Sequence, residues 1–409
     1  MTENIKYIDT SIGLIPSDWE VKKISDATTY VDYRGKTPQK TEEGILLLTA
    51  RNIKFGYIDY NISNEFISPE DYSVVMSRGL PEIGDILITT EAPMGNVAQI
   101  NRLNIALAQR VIKFRAKSNI ITNDYLKYYF LSEKFQKLLD EKSTGGTAKG
   151  IKGSTLHKMI LIVPPLPEQQ KIATILSTWD NAIDHCKNFI ENLKLRNKGL
   201  TQKLITGKIR VNGFEETKWS LVPIKKIAKD SSKKNPADKD LLVLSCTKHN
   251  GLVPSLEYFG RKIYSDDLTT YKIVSRGQFA YATNHIEEGS IGYQSRYDEA
   301  LISPMYTVFQ TDETVNDNFL FRVLKSTNYI HEYQKRMEGS IDRRGGLRWD
   351  EFSKIKVPIP EIKEQMAIVE ILDKATEELH HYQQKLENLQ LQKKGLMQQL
   401  LTGKVRVKV

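Results

Sequence analysis

The stretch KGLTQKLITGKIRV at residues 198–211 returns near the end of the chain as KGLMQQLLTGKVRV at residues 394–407. Ten of the fourteen positions are identical, at a constant offset of 196 residues. A match of this length at one fixed offset indicates an internal duplication, whose limits decide how the chain is divided into domains.

The same offset continues upstream of the repeated stretch. The Glu-Gln pair at 168–169 returns at 364–365, and the Gly-Ile-Lys triplet at 150–152 returns as Gly-Leu-Arg at 346–348. A period near 200 residues is too long for a solenoid repeat. The chain is therefore predicted to hold two copies of one module.

Before residue 150 the similarity between the copies is weaker, but Trp19 in GLIPSDW still has a counterpart in Trp219 of GFEETKW. Each copy thus combines a variable globular part with a more uniform helical tail. We predict globular domains at 1–163 and 212–359, a central helical tail at 164–211 and a C-terminal helical tail at 360–409.

Composition agrees with more than one domain and suggests a class of partner. A chain of 409 residues exceeds what one hydrophobic core usually holds. The net charge of +9 favours a polyanionic partner, although many basic proteins bind no nucleic acid. No apolar run reaches the roughly 20 residues that a membrane helix needs. Cys186 and Cys246 have no near neighbour to share a metal, which is typical of a reduced, cytoplasmic setting.

Both tails follow a heptad pattern. Apolar residues alternate at spacings of four and three, which is the seam of a coiled coil. Asn197 and Lys393 each interrupt one seam, and a lone polar residue there commonly fixes register or partner orientation. The predicted seam comprises Ile172, Leu176, Trp179, Ile183, Cys186, Ile190, Leu193, Leu200 and Leu204, and in the second tail Ile368, Leu372, Ala375, Leu379, Tyr382, Leu386, Leu389, Leu396 and Leu400.

The ends of the tail helices are marked by proline and glycine. Prolines occur in VPPLPEQQ at 163–170 and in VPIPEIKEQ at 357–365. A helix can begin at a proline but cannot continue through one, so both segments are predicted helix starts. Gly207 and Gly403 are the predicted stops. Each helix then spans about 40 residues, or roughly 60 Å. Antiparallel packing of the two helices would cover both apolar stripes; alternatively, each helix packs only on its own domain.

The globular parts mix short strand-like runs with helices. Helices are predicted at 123–141 and 317–338, and an α+β fold with a twisted antiparallel sheet fits both parts. The strand-like runs are GILLLTA (44–50), GDILITT (84–90), RVIKFRA (110–116), DLLVLS (240–245) and MYTVFQ (305–310).

Basic and polar residues cluster in the turns between these elements. Such loops contact phosphates through Lys, Arg and backbone N–H groups, while Asn, Gln, Arg and His side chains read base edges. The strongest pair is STGGTAKGIKGS at 143–154 and IDRRGGLRW at 341–349, although any single residue is equally compatible with an ordinary solvated loop. The candidate DNA-binding residues are Lys36, Arg51, Asn52, Lys149, Lys152, Lys248, His249, Asn284, Arg343, Arg344 and Arg348.

Motifs for catalysis are missing from the sequence. In STGGTAKGIKGST two glycines have the spacing of a P-loop, but Ile151 stands where the adjacent lysine is required. VPPLP lacks the Asn or Asp and the aromatic residue of an amino-methyltransferase site, and no glycine-rich S-adenosylmethionine fingerprint occurs. The adjacent His380 and His381 fall outside the seam and are expected to be exposed rather than metal ligands. We therefore predict a chain without catalytic or metal residues.

The order of these features resembles that of the specificity subunit of a type I restriction–modification enzyme. The resemblance covers essentially the whole chain: a variable domain, PLPEQQKIATIL, a long helix ending LITGKIRV, a second variable domain, PEIKEQMAIVEIL, and a helix ending LLTGKVRV. It is specific because the proline-then-Glu-Gln entry and the Leu-Thr-Gly-Lys exit both occur twice.

The resemblance implies a function and a set of partners. The globular parts would be target-recognition domains, each reading half of a split double-stranded DNA target. The tails would form an antiparallel coiled coil that separates the domains with pseudo-two-fold symmetry. Two methyltransferase subunits would methylate adenine N6 with S-adenosylmethionine, and two ATP-driven restriction subunits that need Mg²⁺ would join them in phage defence. Two alternatives are a recognition subunit of another split-site enzyme and a coiled-coil scaffold without a DNA role.

Overall fold

The computed structural model describes residues 6–33, 38–146, 149–235, 240–338 and 346–409. It divides into two compact units. Unit 1 comprises Met1–Lys187 with Gln384–Val409, and unit 2 comprises Asn188–Gln383. Each unit therefore contains one globular domain and part of each tail. The four-segment division predicted from the sequence groups these residues by function, and it stays a prediction.

The first domain and the first tail contain the following elements. The strands are β1 (Tyr7–Ile8), β2 (Ile15–Pro16), β3 (Glu20–Lys23), β4 (Thr28–Asp32), β5 (Ile45–Leu48), β6 (Phe66–Ile67), β7 (Ile86–Thr89), β8 (Val97–Gln99), β9 (Ile105–Leu107), β10 (Val111–Ala116) and β11 (Ile160–Val163). The helices are α1 (Ile24–Ala27), α2 (Tyr72–Val75), α3 (Asn123–Leu131), α4 (Glu133–Glu141), α5 (Gly153–His157) and α6 (Leu166–Ile205).

An antiparallel sheet with the order β4-β10-β7-β8 lies at the centre of the first domain. Its strand β7 is buried on both faces. Ile86 and Ile88 join the core formed with α3 and α4, whereas Leu87 joins a second core formed with β5 and β9. Because side chains alternate along a strand, covering both faces requires the continuous apolar run seen in the sequence.

The second domain and the second tail contain a corresponding set of elements. The strands are β12 (Ser220–Pro223), β13 (Ala228–Asp230), β14 (Lys233–Lys234), β15 (Leu244–Thr247), β16 (Gly251–Pro254), β17 (Lys272–Ser275), β18 (Phe279–Ala282), β19 (Ile291–Tyr293), β20 (Glu299–Ile302), β21 (Tyr306–Thr311) and β22 (Lys356–Ile359). The helices are α7 (Ser255–Phe259), α8 (Asp317–Leu324), α9 (Thr327–Glu338), α10 (Trp349–Phe352) and α11 (Ile362–Leu400), with 3₁₀ turns at Ile224–Lys226 and Ile286–Glu288.

The central sheet of the second domain repeats that of the first, with the order β13-β21-β18-β19. Phe279 and Tyr281 of β18 lie in a core with α8 and α9, whereas Ala280 faces a second core with β15, β17 and β20. The predicted α+β fold and its duplication are therefore confirmed. Both central sheets are antiparallel, as predicted; the parallel pairing lies outside them, where β5 pairs with β9 and an isolated bridge joins Val243 to Leu301.

Two expectations about the domains are wrong in detail. The helices predicted at 123–141 and 317–338 each divide in two, giving α3 and α4 in the first domain and α8 and α9 in the second. Ser132 causes the first break: its backbone is extended, and its hydroxyl caps α4 by accepting from the Phe135 N–H. The strand predicted at 240–245 lies later, at β15.

The two tail helices pack antiparallel within each unit. In unit 2, the Phe189 ring packs at a tilt against Tyr382 with ring centroids 4.5 Å apart, and the Asn197 side chain donates to the Ala375 carbonyl at 2.7 Å. Moving forward along α6 thus moves backward along α11. In unit 1, Asp180 of α6 forms an ion pair with Lys393 of α11.

Every residue of the predicted seam is buried or half-buried. Ile172, Leu176 and Leu400 share a core in unit 1, and Leu204, Ile368 and Leu372 share a core in unit 2. Both polar interruptions bond to the other helix, Asn197 to a backbone carbonyl and Lys393 to Asp180. They therefore favour one register without leaving an unpaired polar group in the seam.

Both predicted helix stops are also confirmed. Gly207 and Gly403 follow α6 and α11 with φ of 68° and 71°, the left-handed conformation that glycine adopts without strain. In each case a later N–H turns back to the last helical turn: Ile209 to the Lys203 carbonyl, and Val405 to the Gln399 carbonyl, both at 3.3 Å. The chain therefore reverses direction after each helix and returns toward the last helical turn.

Candidate nucleic-acid interface

The residues that follow α11 fasten the first domain to the start of α6. Arg406 forms a two-pronged ion pair with Glu168, with Nε–Oε1 and Nη2–Oε2 distances both 2.7 Å. The Trp19 indole N–H donates to the same carboxylate at 2.9 Å, and Arg406 also bonds both oxygens of Asp18. The hydrogen bond from Arg406 lowers the pKa of Asp18.

Unit 2 contains the same arrangement, built from the other copies of these motifs. Arg210, which follows α6, pairs with Glu364 at 2.9 Å and 3.0 Å, and the Trp219 N–H donates to Glu364 at 3.0 Å. Both arginines also lie 5.6 Å from the centre of the tryptophan ring. We call each Arg-Glu-Trp set a clamp.

The glutamine of each Glu-Gln pair fastens the helix to its own domain. Gln169 accepts from the Thr122 N–H at 2.9 Å and donates to the Ile120 and Pro164 carbonyls. Gln365 bonds in the same way to the Asn316 N–H, at 2.7 Å, and to the Thr314 and Pro360 carbonyls. Thr122 and Asn316 are the N-caps of α3 and α8. The clamps and glutamines therefore hold each globular domain in a fixed orientation on the helix ends within its unit.

In the first domain, four loops meet at one end of the central sheet. The Ile151 N–H donates to the Thr90 carbonyl at 3.0 Å, and the Thr90 N–H donates to the Arg110 carbonyl at 2.9 Å. The Asn96 side chain donates to the Ile53 carbonyl at 2.8 Å. Loops 49–58, 90–96 and 108–110 and residues 143–146 and 149–152 thus form one surface, which we call reading surface 1.

The second domain assembles equivalent loops, which we call reading surface 2. The Leu347 N–H donates to the Thr283 carbonyl at 2.9 Å, as Ile151 does to Thr90, and the Thr283 hydroxyl donates to the Met305 carbonyl at 2.9 Å. The Lys325 ammonium bonds the carbonyls of Thr247, at 3.2 Å, and Gly289. This surface therefore comprises loops 247–250, 283–290 and 303–305 and residues 346–348.

A glycine is required where the last loop meets reading surface 2. Gly346 has a φ of 66°, and a Cβ there would lie 2.5 Å from the Thr283 carbonyl oxygen and overlap with the Asn284 side chain. The glycine thus permits the close approach of this segment to Thr283 and Asn284. Burial lowers the pKa of Lys325, whose ammonium is held by backbone carbonyls, so it is a structural part of this surface.

The predicted DNA-binding residues of the first domain differ in exposure and in their hydrogen-bond partners. Arg51 and Lys152 lie exposed on reading surface 1, and Lys149 is also exposed but pairs with Asp140 at 2.6 Å. Asn52 was misjudged, because it is fully buried. Its amide accepts from the backbone and hydroxyl of Thr49 and donates to the Asp59 carbonyl, so it shapes the loop and cannot reach a base.

In the second domain, four predicted residues lie exposed on reading surface 2: Lys248, His249, Asn284 and Arg348. Lys36, Arg343 and Arg344 lie outside the described residues. Whether any of these side chains contacts DNA stays a prediction.

Sequence reasoning missed three exposed side chains on reading surface 1. Arg110 sits in the turn before β10 with a φ of 74°, which is uncommon for a residue with a side chain and is a reason to examine its function. The run RVIKFRA predicts it as the first residue of a strand, whereas that strand begins at Val111. Phe55 and Tyr57 are 55% and 57% exposed in the loop after β5, and the FGY sequence in a turn was the available signal.

Reactive and metal-binding groups are scarce in the described part of the chain. Burial raises the pKa of the Cys246 thiol to about 12, which makes it a poor nucleophile. His285, Glu287 and Glu288 offer ligand atoms within 4.8 Å of one another, but two of the three are exposed on a short turn. We assign no metal to this cluster. None of the helices in the described ranges is long and apolar enough to cross a membrane.

Comparisons with known proteins agree with this architecture. A sequence model described as the type I restriction modification DNA specificity domain matches residues 16–195 and again residues 221–390. The MjaVIII specificity subunit of Methanocaldococcus jannaschii is 26% identical over 420 residues, covering 96% of this chain and 94% of that protein. The EcoKI specificity subunit of Escherichia coli strain K12 is 24% identical over 230 residues, covering 51% of this chain and 46% of that protein.

Two solved structures share the fold at low sequence identity. The S subunit of a type I restriction–modification system from M. genitalium has a TM-score of 0.52 at 13% identity, covering 98% of this chain and 97% of that one. The HsdS subunit from Thermoanaerobacter tengcongensis has a TM-score of 0.54 at 14% identity, covering 96% and 98%. With two matching domains over most of its length, this chain belongs to the type I restriction modification DNA specificity family.

Proposed function

We propose that this chain is the DNA sequence-recognition subunit of a type I restriction–modification complex, in which each globular domain binds one half of a bipartite target. The single observation that carries the proposal is the pair of equivalent reading surfaces. Both are built on the same hydrogen bond, from Ile151 to Thr90 and from Leu347 to Thr283, and both expose basic side chains beside it.

The two half-sites are proposed to differ in sequence. The two surfaces share one equivalent hydrogen bond between loops, but their exposed side chains differ. Arg51, Arg110 and Lys152 lie on the first surface, whereas His249 and Asn284 belong to the second. Since base edges are read by particular side chains in the grooves, different side chains on one scaffold select different bases.

Affinity and specificity would come from different contacts. Lysine and arginine side chains that neutralise phosphates supply an affinity that falls with salt and carries no sequence information. Side chains such as Asn284 and His249, together with the arginines, are suited to reading base edges. We therefore propose that the chain binds duplex DNA with a marked salt dependence and discriminates between sequences through only a few loop residues.

The paired helices α6 and α11 are proposed to set the spacing and orientation of the half-sites. α6 is one uninterrupted helix of 40 residues, about 60 Å long at 1.5 Å per residue. Two supports for a fixed register are the polar seam contacts of Asn197 and Lys393. The two clamps and the Glu-Gln pairs limit how far each domain can turn on the helices.

The chemistry is proposed to reside in other subunits. Two methyltransferase subunits would carry S-adenosylmethionine and modify adenine, and two restriction subunits would use ATP and Mg²⁺, in a complex located in the cytoplasm. What supports a non-catalytic role is the sequence, which lacks the motifs of these reactions, together with membership of the specificity family.

The most direct test is to map methylated adenines across the genome of the host with and without this chain. Loss of a bipartite motif whose two halves differ is the expected result, and an unchanged methylation pattern would refute the proposal.

Exchanging residues 212–359 for those of another family member is expected to change one half-site only. Deleting one heptad between residues 180 and 200 is expected to change the spacing or abolish recognition, and unchanged spacing would refute the role of the helices.

A further inference from the structure

Two exposed aromatic side chains stand at the tip of a short turn on reading surface 1. Phe55 and Tyr57 are both more than half exposed, and they flank Gly56. A single exposed apolar residue is ordinary on a protein surface, whereas two large rings within three residues form a patch that indicates a contact site. We call residues 54–57 the aromatic turn.

The aromatic turn is held at both of its ends. An antiparallel bridge pairs Ile53 with Ile58, and the Lys54 N–H donates to the Tyr57 carbonyl at 2.9 Å. Ile53 is buried in the second core of the domain, and Ile58 packs against that core. The rings are therefore presented from a fixed backbone, so that little backbone freedom is lost when they bind.

Two hydrogen bonds join the turn to the rest of reading surface 1. The Gly56 N–H donates to the Val97 carbonyl, and the Asn96 side chain donates to the Ile53 carbonyl, both at 2.8 Å. Gly56 has a φ of 98°, which glycine adopts without strain, and no atom outside the turn lies within 4 Å of the place its Cβ would take. The glycine is therefore required for the bend of the turn and not for close packing.

The equivalent turn of the second domain carries different side chains. It follows β15 as the aromatic turn follows β5, and its Gly251 also has a positive φ, of 64°. A Cβ at Gly251 would lie 3.8 Å from the carbonyl oxygen of Ile291, the first residue of β19, just as Gly56 bonds the first residue of β8. This turn exposes Lys248 and His249 instead of two large apolar rings. The two domains thus present different chemistry at the same place in the fold.

The surroundings of the aromatic turn are positively charged, which favours a polyanion as its partner. Arg51 of the same loop is exposed, and the turn borders a groove whose lining has six lysines against three carboxylates. The apolar surface of duplex DNA lies on the faces of its stacked bases. Large side chains reach those faces only where a base step opens, and apolar side chains inserted there kink the duplex.

We propose that Phe55 and Tyr57 form a wedge that opens one base step of the first half-site, so that this domain selects DNA partly by how easily the step unstacks. The inference rests on the proposed function, because it takes the bipartite duplex as the ligand. The pyrimidine–purine steps TA and CA/TG unstack at low cost, so one of them is expected in the half-site that the first domain reads. In the second domain, whose turn exposes Lys248 and His249, selection depends on base edges and no step opens.

The test treats a duplex carrying the mapped bipartite motif with permanganate, which oxidises thymines that have lost their stacking, in the presence of the full chain and its methyltransferase subunit. Each of the expected steps contains a thymine, so the opened step is visible in unaltered DNA. The first half-site is the one that stays unchanged when residues 212–359 are exchanged. We expect a reactive thymine in that half-site besides those opposite the methylated adenines, which react because methyltransferases flip their target base.

The double variant Phe55→Ala, Tyr57→Ala removes both rings. At saturating protein, the extra thymine of the first half-site is expected to return to its reactivity in free DNA, whereas the thymines opposite the methylated adenines stay reactive. The affinity for the duplex is expected to fall about tenfold or more, because the stacking of rings on bases is lost. The matched control is Tyr258→Ala with Phe259→Ala, a second pair of exposed aromatic residues that lies on α7, outside reading surface 2. We expect its reactivity and affinity to match the wild type.

The wedge is overturned if the wild-type complex leaves the first half-site stacked, apart from its methylated position, or if the double variant keeps the wild-type affinity and reactivity. A variant that loses its methyltransferase subunit would make the turn a protein contact, which also overturns the wedge. If the wild-type complex does not prefer the bipartite duplex over other sequences, the proposed function itself fails, and this result is separate from the others. Melting curves check folding, and the single variants Phe55→Ala and Tyr57→Ala provide the test if the double variant does not fold.

Discussion

The clamp of unit 1 offers a prediction whose size follows from burial. Arg406→Met removes the partner of Glu168, whose side chain is only 2% exposed, while that of Arg406 is 25% exposed. Breaking a buried ion pair from one side costs about 3–5 kcal/mol. Here water can reach the vacated edge and the Trp19 N–H remains, so we expect a loss of about 2–3 kcal/mol in the local stability of the tail.

Hydrogen exchange measured by mass spectrometry on residues 401–409 is the assay, because it reports local opening where a global transition of a two-unit chain would mix several events. The expected loss corresponds to exchange about 30- to 140-fold faster, at a factor of ten per 1.4 kcal/mol. The control is Lys408→Met, an exposed lysine of the same tail, with an expected effect within about 0.5 kcal/mol.

A second substitution tests the cause. If the loss comes from an unpaired buried charge, Glu168→Gln in the Arg406→Met background is expected to recover most of it, because an amide oxygen still accepts from Trp19 without needing a cation. Coupling of this kind is what a double-mutant cycle isolates. Exchange within threefold of the wild type in Arg406→Met, or no recovery in the double variant, would refute the reasoning.

Three further outcomes are expected. Gly403→Ala will speed hydrogen exchange in residues 401–409 more than Gly207→Ala speeds it in residues 205–213, because a Cβ at Gly403 overlaps with Pro16 whereas one at Gly207 lies 3.3 Å from Trp219; equal effects would count against this. Arg51→Ala will weaken DNA binding, reduce by about 1 the slope of the logarithm of the binding constant against the logarithm of salt concentration, and leave the stability of the fold unchanged. Asn52→Ala, by contrast, will lower the free energy of unfolding by about 2–3 kcal/mol, because it leaves buried polar groups without partners. The melting difference between the wild type and Asp18→Asn, present at pH 7, will shrink as the pH falls below about 4: the pKa of Asp18 is lowered in the folded state, so its stabilisation exists above the ordinary pKa and disappears in acid. A difference that is independent of pH would contradict that assignment.

The parts of the fold that the sequence predicts are those that depend on local periodicity. The seam positions, the helix stops at Gly207 and Gly403 and the strand cores of β7 and β10 follow from spacing and from residues of restricted conformation. Ser132 shows where that reasoning ends. It lies inside an amphipathic pattern that predicts one helix. Only the structure, in which its hydroxyl caps the N-terminus of α4, shows that there are two helices.

The reading surfaces are predictable in place but not in residue. Loop position follows from the duplicated order of elements, so Arg51, Lys152 and Arg348 were found in exposed loops. The side-chain direction of Asn52 depends on Thr49 and Asp59, and a polar residue in a basic loop gives no sign that its amide is consumed internally. Arg110 was missed for the converse reason, because the strand begins one residue later than the apolar pattern suggests.

The clamps explain why the sequence of residues 198–211 is repeated at residues 394–407. The exit of the first copy carries Arg210, which pairs with Glu364 in the entry of the second copy, whereas Arg406 in the exit of the second copy pairs with Glu168 in the entry of the first. Each exit must therefore match an entry from the other copy. Replacing the arginine in one exit would leave a buried carboxylate unpaired in the other copy. Both copies must therefore keep the arginine in the exit and the glutamate in the entry. Among the described residues, the loops of the reading surfaces make no such exchange, which leaves them free to differ, as the proposed recognition of two different half-sites requires.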